Sequence, residues 1–395
     1  MPSVVSLALR RPLCLALAAC AVLLSACGGG GGGGETGKAE ALAPRASALP
    51  PSATVAGICT LEGEKAFTRS YLDEAYLWWN DIPEVDAASY STVADHFQAL
   101  LVRTPDASGQ PRDRFSAVLS TERADALLGS AAAADTLAAP TPSVPLVSVV
   151  SSPAARQVGY LLLDDQRRGA MDALIDAFTA LQSAAIQDLV LDLRHNSGGY
   201  LYVAQAAASM VAGPAADGQV FETLAYSAKR QAEGAGSTFR FTGQVETAES
   251  RYPRGYALPR LGLPRVYVLA SGMTCSASES IVNGLRGIDV EVVLVGETTC
   301  GKPYGFRRKD NCGSAYFAIE FQGTNAKGFG DYAAGFAPQC PVAEDYSQPL
   351  GSTQEPLLAA ALQHIDTGSC PAPTGRRKQG WVPGDGGLGG RLLLE

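Results

Sequence analysis

The chain has 395 residues, of which 46% are hydrophobic and 18% are charged, so it can bury a sizeable core and is not a disordered tail. Lys and Arg number 31 against 39 Asp and Glu, which gives a formal net charge of −8. That balance argues against a nucleic-acid or anionic-lipid partner recognised by bulk charge. The 43 Gly and 24 Pro follow no collagen-like period, which excludes a fibre and is typical of turns and linkers.

The first residues have the layout of a secretory signal. A pair of arginines precedes a twelve-residue apolar run from Leu13 to Leu24, which is too short to span a bilayer. The run leads into the sequence Leu-Ser-Ala-Cys ending at Cys27, which resembles the bacterial lipobox, where the signal is removed before a cysteine that carries lipid. We therefore expect residues 1–26 to be a lipoprotein signal peptide and Cys27 to be lipidated. The alternative is an ordinary signal cut near Ala26.

Residues 27–56 are predicted to form a flexible tether. Seven glycines follow Cys27, and the next stretch is rich in Ala, Pro and Ser, a composition typical of linkers. We therefore expect an exported chain, held by its lipid on a bacterial membrane and facing the periplasm. The glycine directly after Cys27 favours the outer membrane. The sequence carries no signal for an oligomeric state.

Six cysteines lie beyond the expected signal and lipidation site: Cys59, Cys275, Cys300, Cys312, Cys340 and Cys370. An even number in an exported chain is compatible with disulfides, and free buried thiols are the alternative. The predicted bridge joins Cys300 to Cys312, because a short strand return could bring them together. The sequence has no C-x-x-C pair and no paired Cys/His cluster, so neither a metal site nor a cofactor is predicted.

The first part of the expected folded region has helical patterns. Spacing of the aromatic residues over 67–78 predicts an amphipathic helix, and further helices are predicted over 91–101 and 114–128. These segments predict a small helical cap domain over 57–130. Periodicity is then lost over 131–150, which is predicted to be a linker.

From residue 151 onward, short apolar runs alternate with helical segments. Strands are predicted over 158–163, 189–193, 266–270 and 290–295, and helices over 171–183, 200–211 and 276–285. Such alternation predicts an α/β domain over 151–370, with a mostly parallel sheet covered by flanking helices. Residues 371–395 are rich in Gly and Pro and are expected to be a loose tail.

Ligands of open α/β sheets collect at the carboxyl ends of the strands, and the loops there carry reactive residue types. In the loop 194–199, Gly198 and Gly199 would let backbone N–H groups approach an oxyanion closely, or would simply permit a tight turn. In the loop 274–279, Ser276 stands at a predicted helix N-terminus, where partial positive charge favours a developing anion. Ser276 could therefore be a nucleophile, or an ordinary N-cap.

A third loop, over 296–302, brings Lys302 close to the end of an apolar strand. Desolvation penalises the ammonium form, so an apolar pocket would have to lower the lysine pKa from about 10.4 to near 7.4 for a base at neutral pH. Lys302 is therefore a candidate general base. The alternative is a solvated loop lysine.

Taken together, the three segments 192–199, 276–279 and 295–302 resemble the C-terminal processing, or tail-specific, serine peptidase family. The resemblance covers about residues 155–365 and includes a Gly-x-x-Pro step from Gly335 to Pro338. Members of that family cleave polypeptides with a serine–lysine dyad. The resemblance therefore implies a serine endopeptidase acting on exported proteins.

The resemblance also implies roles for individual residues. Ser276 corresponds to the nucleophile, and Lys302, 26 residues further on, corresponds to the general base that forms and resolves an acyl-enzyme. The backbone N–H of Ala277, with that of Gly198 or Gly199, would stabilise the tetrahedral oxyanion. Glu279 and Asp192 are interpreted as structural.

Two departures from the family pattern leave other functions open. Many members have a glutamine four residues after the lysine, where this chain has Phe306, and there is no room for a PDZ domain between Leu128 and Val147. One alternative is a binding or scaffold lipoprotein that keeps the peptidase fold without turnover. Another is an esterase-type hydrolase in which Ser276 acts with His195.

Overall fold

The computed structural model describes residues 49–128, 142–234, 236–372 and 391–393. Its α-helices are α1 (Ser52–Val55), α2 (Leu61–Ala75), α3 (Val93–Ala99), α4 (Thr121–Leu128), α5 (Ala170–Ser183), α6 (Leu201–Ala212), α7 (Gln231–Gly234), α8 (Ala277–Gly287) and α9 (Pro356–Thr367). The strands before α8 are β1 (Ala117–Ser120), β2 (Leu146–Ser151), β3 (Gln157–Leu162), β4 (Asp188–Asp192), β5 (Gly198–Tyr200), β6 (Val220–Tyr226), β7 (Thr238–Arg240) and β8 (Arg265–Ala270). Those after it are β9 (Glu291–Gly296), β10 (Tyr304–Gly305), β11 (Lys309–Asn311), β12 (Ser314–Phe317), β13 (Phe321–Thr324), β14 (Cys340–Pro341) and β15 (Arg391–Leu393).

Most of the amino-terminal predictions fall outside these ranges. The expected signal peptide, the lipidation site Cys27 and the first part of the tether are not among the described residues. Within the described ranges, no helix combines the length and the apolar character needed to cross a membrane.

A six-stranded sheet forms the centre of the fold, in the order β14-β9-β8-β4-β3-β2. All neighbouring strands are parallel except β2, which pairs antiparallel with β3. Alternate residues of each strand enter different cores: Leu191 packs with α5, α6 and α8, and Val190 packs with α9. Because both faces are covered, the central strands are continuous apolar runs. The predicted α/β fold with a mostly parallel sheet is confirmed.

The cap helices share a core with the central sheet. The helix predicted over 67–78 is α2, which begins earlier because the Thr60 side chain accepts the Gly63 N–H at 3.1 Å and caps it. Phe67 of α2 packs on Tyr316 of β12, with ring centroids 5.4 Å apart. The short strand return β11–β12 is thereby covered by the cap.

Four stretches differ from the sequence-based expectation. Helix α1 lies within the expected flexible tether over 27–56, and its Ser52 hydroxyl donates to Glu74 of α2 at 2.5 Å. The helix predicted over 114–128 is wrong in its first half, because β1 pairs there with β12, a partner almost two hundred residues away that no local pattern indicates. Strand β2 lies within the expected linker over 131–150 and forms the edge of the central sheet. Strand β15 lies within the expected loose tail over 371–395 and pairs with β5.

The disulfides of the described residues are Cys59–Cys312, Cys275–Cys300 and Cys340–Cys370. The predicted bridge between Cys300 and Cys312 is therefore wrong, although both cysteines are bonded. After Cys300 the chain enters β10 and then β11, which belong to two different sheets, so the return carries Cys312 away from it. Cys312 instead meets the segment before α2, where the Gly57 N–H donates to Asn311 Oδ1 at 2.9 Å.

Candidate active site

Ser276 lies in a strained turn between β8 and α8. Its backbone has φ 58° and ψ −118°, a region that side chains other than glycine rarely adopt and that costs about 1–3 kcal/mol. The side chain is fully buried. Ser276 and Glu279 have the reciprocal arrangement of a capping box at the start of α8, as the N-cap alternative predicted, although Oγ lies beyond hydrogen-bond distance of any described partner. A sharp strand-to-helix turn of this kind is how several hydrolase folds present a nucleophilic serine.

Lys302 lies in the loop between β9 and β10 and is also fully buried. Its Nζ is 4.2 Å from the ring centroid of Phe306 and 5.2 Å from that of Phe115. Phe306 stands where a glutamine was expected, so an aromatic ring contacts the amine in place of an amide. Phe115 comes from the cap region and was not predicted as a site residue, because nothing in the local sequence relates it to a lysine so far along the chain.

One buried carboxylate, that of Glu279 on α8, joins the serine and lysine loops. Its Oε2 accepts the backbone N–H of Ser276 at 2.9 Å and that of Lys302 at 2.8 Å. Its Oε1 accepts the N–H of Gly301 at 2.9 Å and the hydroxyl of Thr299 at 2.5 Å. Burial raises the pKa of Glu279, and these donors act in the opposite direction. The sequence indicated a structural role for this residue but not that it contacts both loops.

Two further contacts hold the lysine loop against the serine loop. The Cys275–Cys300 disulfide places the two Cα atoms 5.2 Å apart, and the Cys300 N–H donates to the Thr274 carbonyl at 3.0 Å. On the other side, Gly335 has φ 80°, and a Cβ there would clash with the Thr299 carbonyl. The Gly-x-x-Pro step therefore packs directly on the segment that leads to the lysine.

The predicted oxyanion loop also reaches the start of α8. The Asn196 carbonyl accepts the Cys275 N–H at 3.2 Å and the Ser278 hydroxyl at 3.1 Å. Within the loop, the Gly198 N–H donates to Asn196 Oδ1 at 2.8 Å. Because that N–H is already engaged, Gly199 is the stronger oxyanion candidate of the two glycines.

Gly199 and Ala277 each satisfy a local requirement of an oxyanion donor. Gly199 has φ 152°, and a Cβ at this position would overlap the Gln166 carbonyl, so only glycine is accommodated. Ala277 is the first residue of α8, and the first N–H groups of a helix have no partner within it. Ala277 directly follows the candidate nucleophile, and Gly199 ends the loop whose Asn196 carbonyl contacts Cys275 and Ser278.

A buried ion-pair network fixes the beginning of the oxyanion loop. Arg194 Nε contacts Asp192 Oδ1 at 3.0 Å, and its Nη1 contacts Glu355 Oε1 at 2.8 Å. The Tyr160 hydroxyl donates to Asp192 at 2.7 Å. These contacts are consistent with the structural role predicted for Asp192.

His195 is engaged away from the serine. Its Nε2 lies 3.2 Å from Glu344 Oε1, and its ring stacks on Tyr346 with centroids 6.3 Å apart. The hydrogen bond to Glu344 raises the pKa of His195. Ser276 Oγ bonds to none of the described residues, so the structure shows no hydrogen bond from it to His195 or to Lys302.

Two clusters of the described residues combine the atom types that bind metals. They are Cys275, Glu279 and Cys300, and Cys340, His364 and Cys370. The cysteines of each cluster are joined in a disulfide, and a disulfide sulfur does not supply the thiolate that a metal requires. Neither cluster is therefore a thiolate metal site in this oxidised state.

The site geometry is accompanied by family-level similarity. The model of peptidase family S41 matches residues 157–312, and the model of the peptidase S41 N-terminal domain matches residues 63–117, together more than half of the chain. The chain belongs to peptidase family S41. S41 peptidases are serine peptidases, so the chain is a serine-type peptidase, and both Ser276 and Lys302 lie within the matched region.

Several solved structures resemble the chain. A crystal structure described as an S41 protease from Bacteroides fragilis has 19% identity and a TM-score of 0.59, covering 77% of this chain and 97% of that one. The photosystem II D1 C-terminal processing protease has 16% identity and a TM-score of 0.45, covering 70% and 92%. A lipoprotein from Streptococcus agalactiae has 14% identity and a TM-score of 0.45, covering 75% and 94%. No curated protein sequence matches the chain.

Proposed function

We propose that this S41 peptidase is an endopeptidase of exported proteins, with Ser276 as nucleophile and Lys302 as general base. The observation that carries the proposal is the convergence of both loops on Glu279, whose Oε2 accepts a backbone N–H from each residue. Lys302 is also fully buried, with Nζ over the rings of Phe306 and Phe115, and catalytic general-base lysines are characteristically buried.

The proposed reaction has two halves. Lys302 Nζ takes the proton of Ser276 Oγ as the oxygen attacks the peptide carbonyl carbon, and the resulting ammonium returns the proton to the leaving amine. The C–N bond breaks, and an ester to Ser276 remains. Water, deprotonated by Lys302, then attacks the ester and releases the acid, which restores the free serine.

The oxyanion of both tetrahedral intermediates requires donors that are fixed in advance. We assign the backbone N–H groups of Gly199 and Ala277 to this role. The conformation of Gly199 and the helix-terminal position of Ala277 support the assignment. Gly198 supports it indirectly, because its N–H holds Asn196 and so fixes the loop.

Casein cleavage and labelling by a fluorophosphonate probe, followed by mass mapping, test the dyad. We expect the label on Ser276, and a loss of cleavage of at least about a thousandfold in Ser276→Ala and in Lys302→Ala. Lys309→Ala is the matched control for the lysine, since Lys309 is exposed on β11.

His195→Ala separates the dyad from the esterase-type alternative. We expect this variant to keep most of the cleavage, because His195 contacts Glu344 and Tyr346. A label on another serine, or an equal loss in His195→Ala, would contradict the proposed dyad.

We also propose that the enzyme is exported and attached through lipid on Cys27 to a bacterial membrane, facing the periplasm. The signal-like amino end and the disulfides of the described residues support this, since disulfides persist in oxidising compartments. Cys27→Ser should lose metabolic lipid labelling and leave the membrane fraction. Unlabelled wild-type protein in the soluble fraction would contradict the anchor.

A further inference from the structure

The carboxyl-terminal strand β15 lies in the candidate active site. Its backbone pairs in parallel with β5, with Arg391 opposite Gly198, Leu392 opposite Gly199 and Leu393 opposite Tyr200. Gly199 also forms a parallel bridge to Gln166, so β15 takes the other edge of β5.

Strand β15 contacts the two strands that adjoin the loops on which the proposed chemistry depends. On one side is β5, which contains the oxyanion candidate Gly199. β15 also contacts β10, the strand that begins two residues after Lys302. The segment 391–393 thus runs between the oxyanion loop and the strand that follows the lysine.

This is the location that a polypeptide must take to be cleaved. Extended peptides commonly bind by adding a strand to an available sheet edge, where main-chain hydrogen bonds supply affinity and little sequence is specified. A substrate strand paired with β5 would lie next to the Gly199 N–H. It could not pair there while residues 391–393 occupy the same edge of β5. We propose that β5 is the edge on which substrate polypeptides pair in parallel, and that the chain's own segment 391–393 competes with them for it.

The competition is intramolecular, which makes it effective. Cys370 is fixed to β14 by its disulfide with Cys340, and the chain between Cys370 and Arg391 is long enough to span up to roughly 70 Å when extended. A segment tethered in this way acts at an effective concentration on the order of millimolar. Residues 391–393 therefore restrain the enzyme without a separate inhibitor.

The inference rests on the proposed function for its activity assay, and Leu393→Pro tests it. Gln166 takes the Gly198 C=O and the Tyr200 N–H on one edge of β5, so in the observed register the Gly199 C=O faces the Leu393 N–H on the other. Proline has no N–H to donate there and is poorly tolerated in a paired strand, so this change should release β5. If the segment occupies β5 in about nine-tenths of molecules, release should lower the KM for labelled casein about tenfold and leave kcat unchanged. Leu388→Pro, the same exchange outside β15, is the matched control and should leave KM at the wild-type value.

A binding measurement makes the result independent of catalysis. A fluorescent peptide with the sequence of residues 388–395 is titrated against the full chain carrying Ser276→Ala, with and without Leu393→Pro, and its anisotropy is recorded. We expect tighter binding, by a similar factor, to the protein with Leu393→Pro.

The two assays separate the two ideas. Casein cleavage that does not depend on Ser276 would remove the proposed dyad, whereas the anisotropy titration would still decide the role of the segment. Cleavage that depends on Ser276, with KM and peptide affinity unaffected by Leu393→Pro in a protein of wild-type unfolding midpoint, would overturn the inference and leave the dyad intact.

Discussion

Glu222 on β6 is a buried acid whose titration should make stability depend on pH. It is 2% exposed, and neither carboxylate oxygen has a hydrogen-bond partner among the described residues. Burial raises the pKa of Glu222 from 4.5 to about 7, because the charged form is poorly solvated there. Replacing it by glutamine, which keeps the shape of the neutral acid, removes the titration.

The size and sign of the effect follow from the two pKa values. Each pKa unit corresponds to about 1.4 kcal/mol, so the displacement from 4.5 to about 7 corresponds to about 3.5 kcal/mol. Below pH 4.5 Glu222 is protonated in the folded and unfolded states alike and costs nothing. As the pH rises through this range the unfolded state releases its proton first, so the wild-type protein loses stability until about pH 7.

Urea unfolding followed by tryptophan fluorescence at pH 5 and pH 8 measures this loss. We expect the free energy of unfolding of Glu222→Gln, relative to wild type, to be more favourable at pH 8 than at pH 5 by about 2–3 kcal/mol. Glu84→Gln, at a side chain that is 95% exposed, should show no such change. A Glu222→Gln difference that is the same at both pH values would refute the reasoning.

Three further changes test how the site is held. Ser276→Ala should raise the unfolding free energy by about 1 kcal/mol while abolishing activity, because it deletes a buried hydroxyl without a described partner, and urea unfolding measures this. Loss of the bridge in a Cys275→Ala/Cys300→Ala double variant should lower the free energy of unfolding by about 3 kcal/mol and reduce kcat. Removing the Cys59–Cys312 disulfide is the control and should leave kcat near the wild-type value. Glu279→Gln should lower kcat about a hundredfold with little change in KM, since it misplaces both loops. Steady-state kinetics on labelled casein measure both constants, and a raised KM with unchanged kcat would show that the residue acts only in substrate binding.

The sequence was sufficient for features that depend on neighbours along the chain. The alternation of apolar runs and helices predicted the parallel sheet, because buried parallel strands are continuous apolar runs whatever their partners are. The same logic predicted that the loops with Ser276 and Lys302 leave the sheet at the same end. Those two loops do converge, on Glu279.

Features that depend on distant partners were not accessible. The segment that forms strand β1 was predicted to be helical, because the local sequence does not reveal its pairing with the distant strand β12. Phe115 was missed because only the folded cap brings it to Lys302. The disulfide prediction joined Cys300 to the next cysteine in sequence, whereas the fold pairs each of the two with a cysteine from another element. Sequence proximity was therefore a poor guide wherever the chain changes sheet.

The costs concentrated at the candidate site are an argument for its function. A strained backbone at Ser276, a buried hydroxyl without a described partner and a fully buried Lys302 each reduce stability, and none is needed to form the sheet. Glu279 and the Cys275–Cys300 bridge offset these costs by fixing both loops. Strain that the surroundings hold in place is characteristic of sites whose geometry is set before substrate arrives. The fold applies such constraints to the loops of Ser276 and Lys302, whereas the side chain of His195 is more exposed.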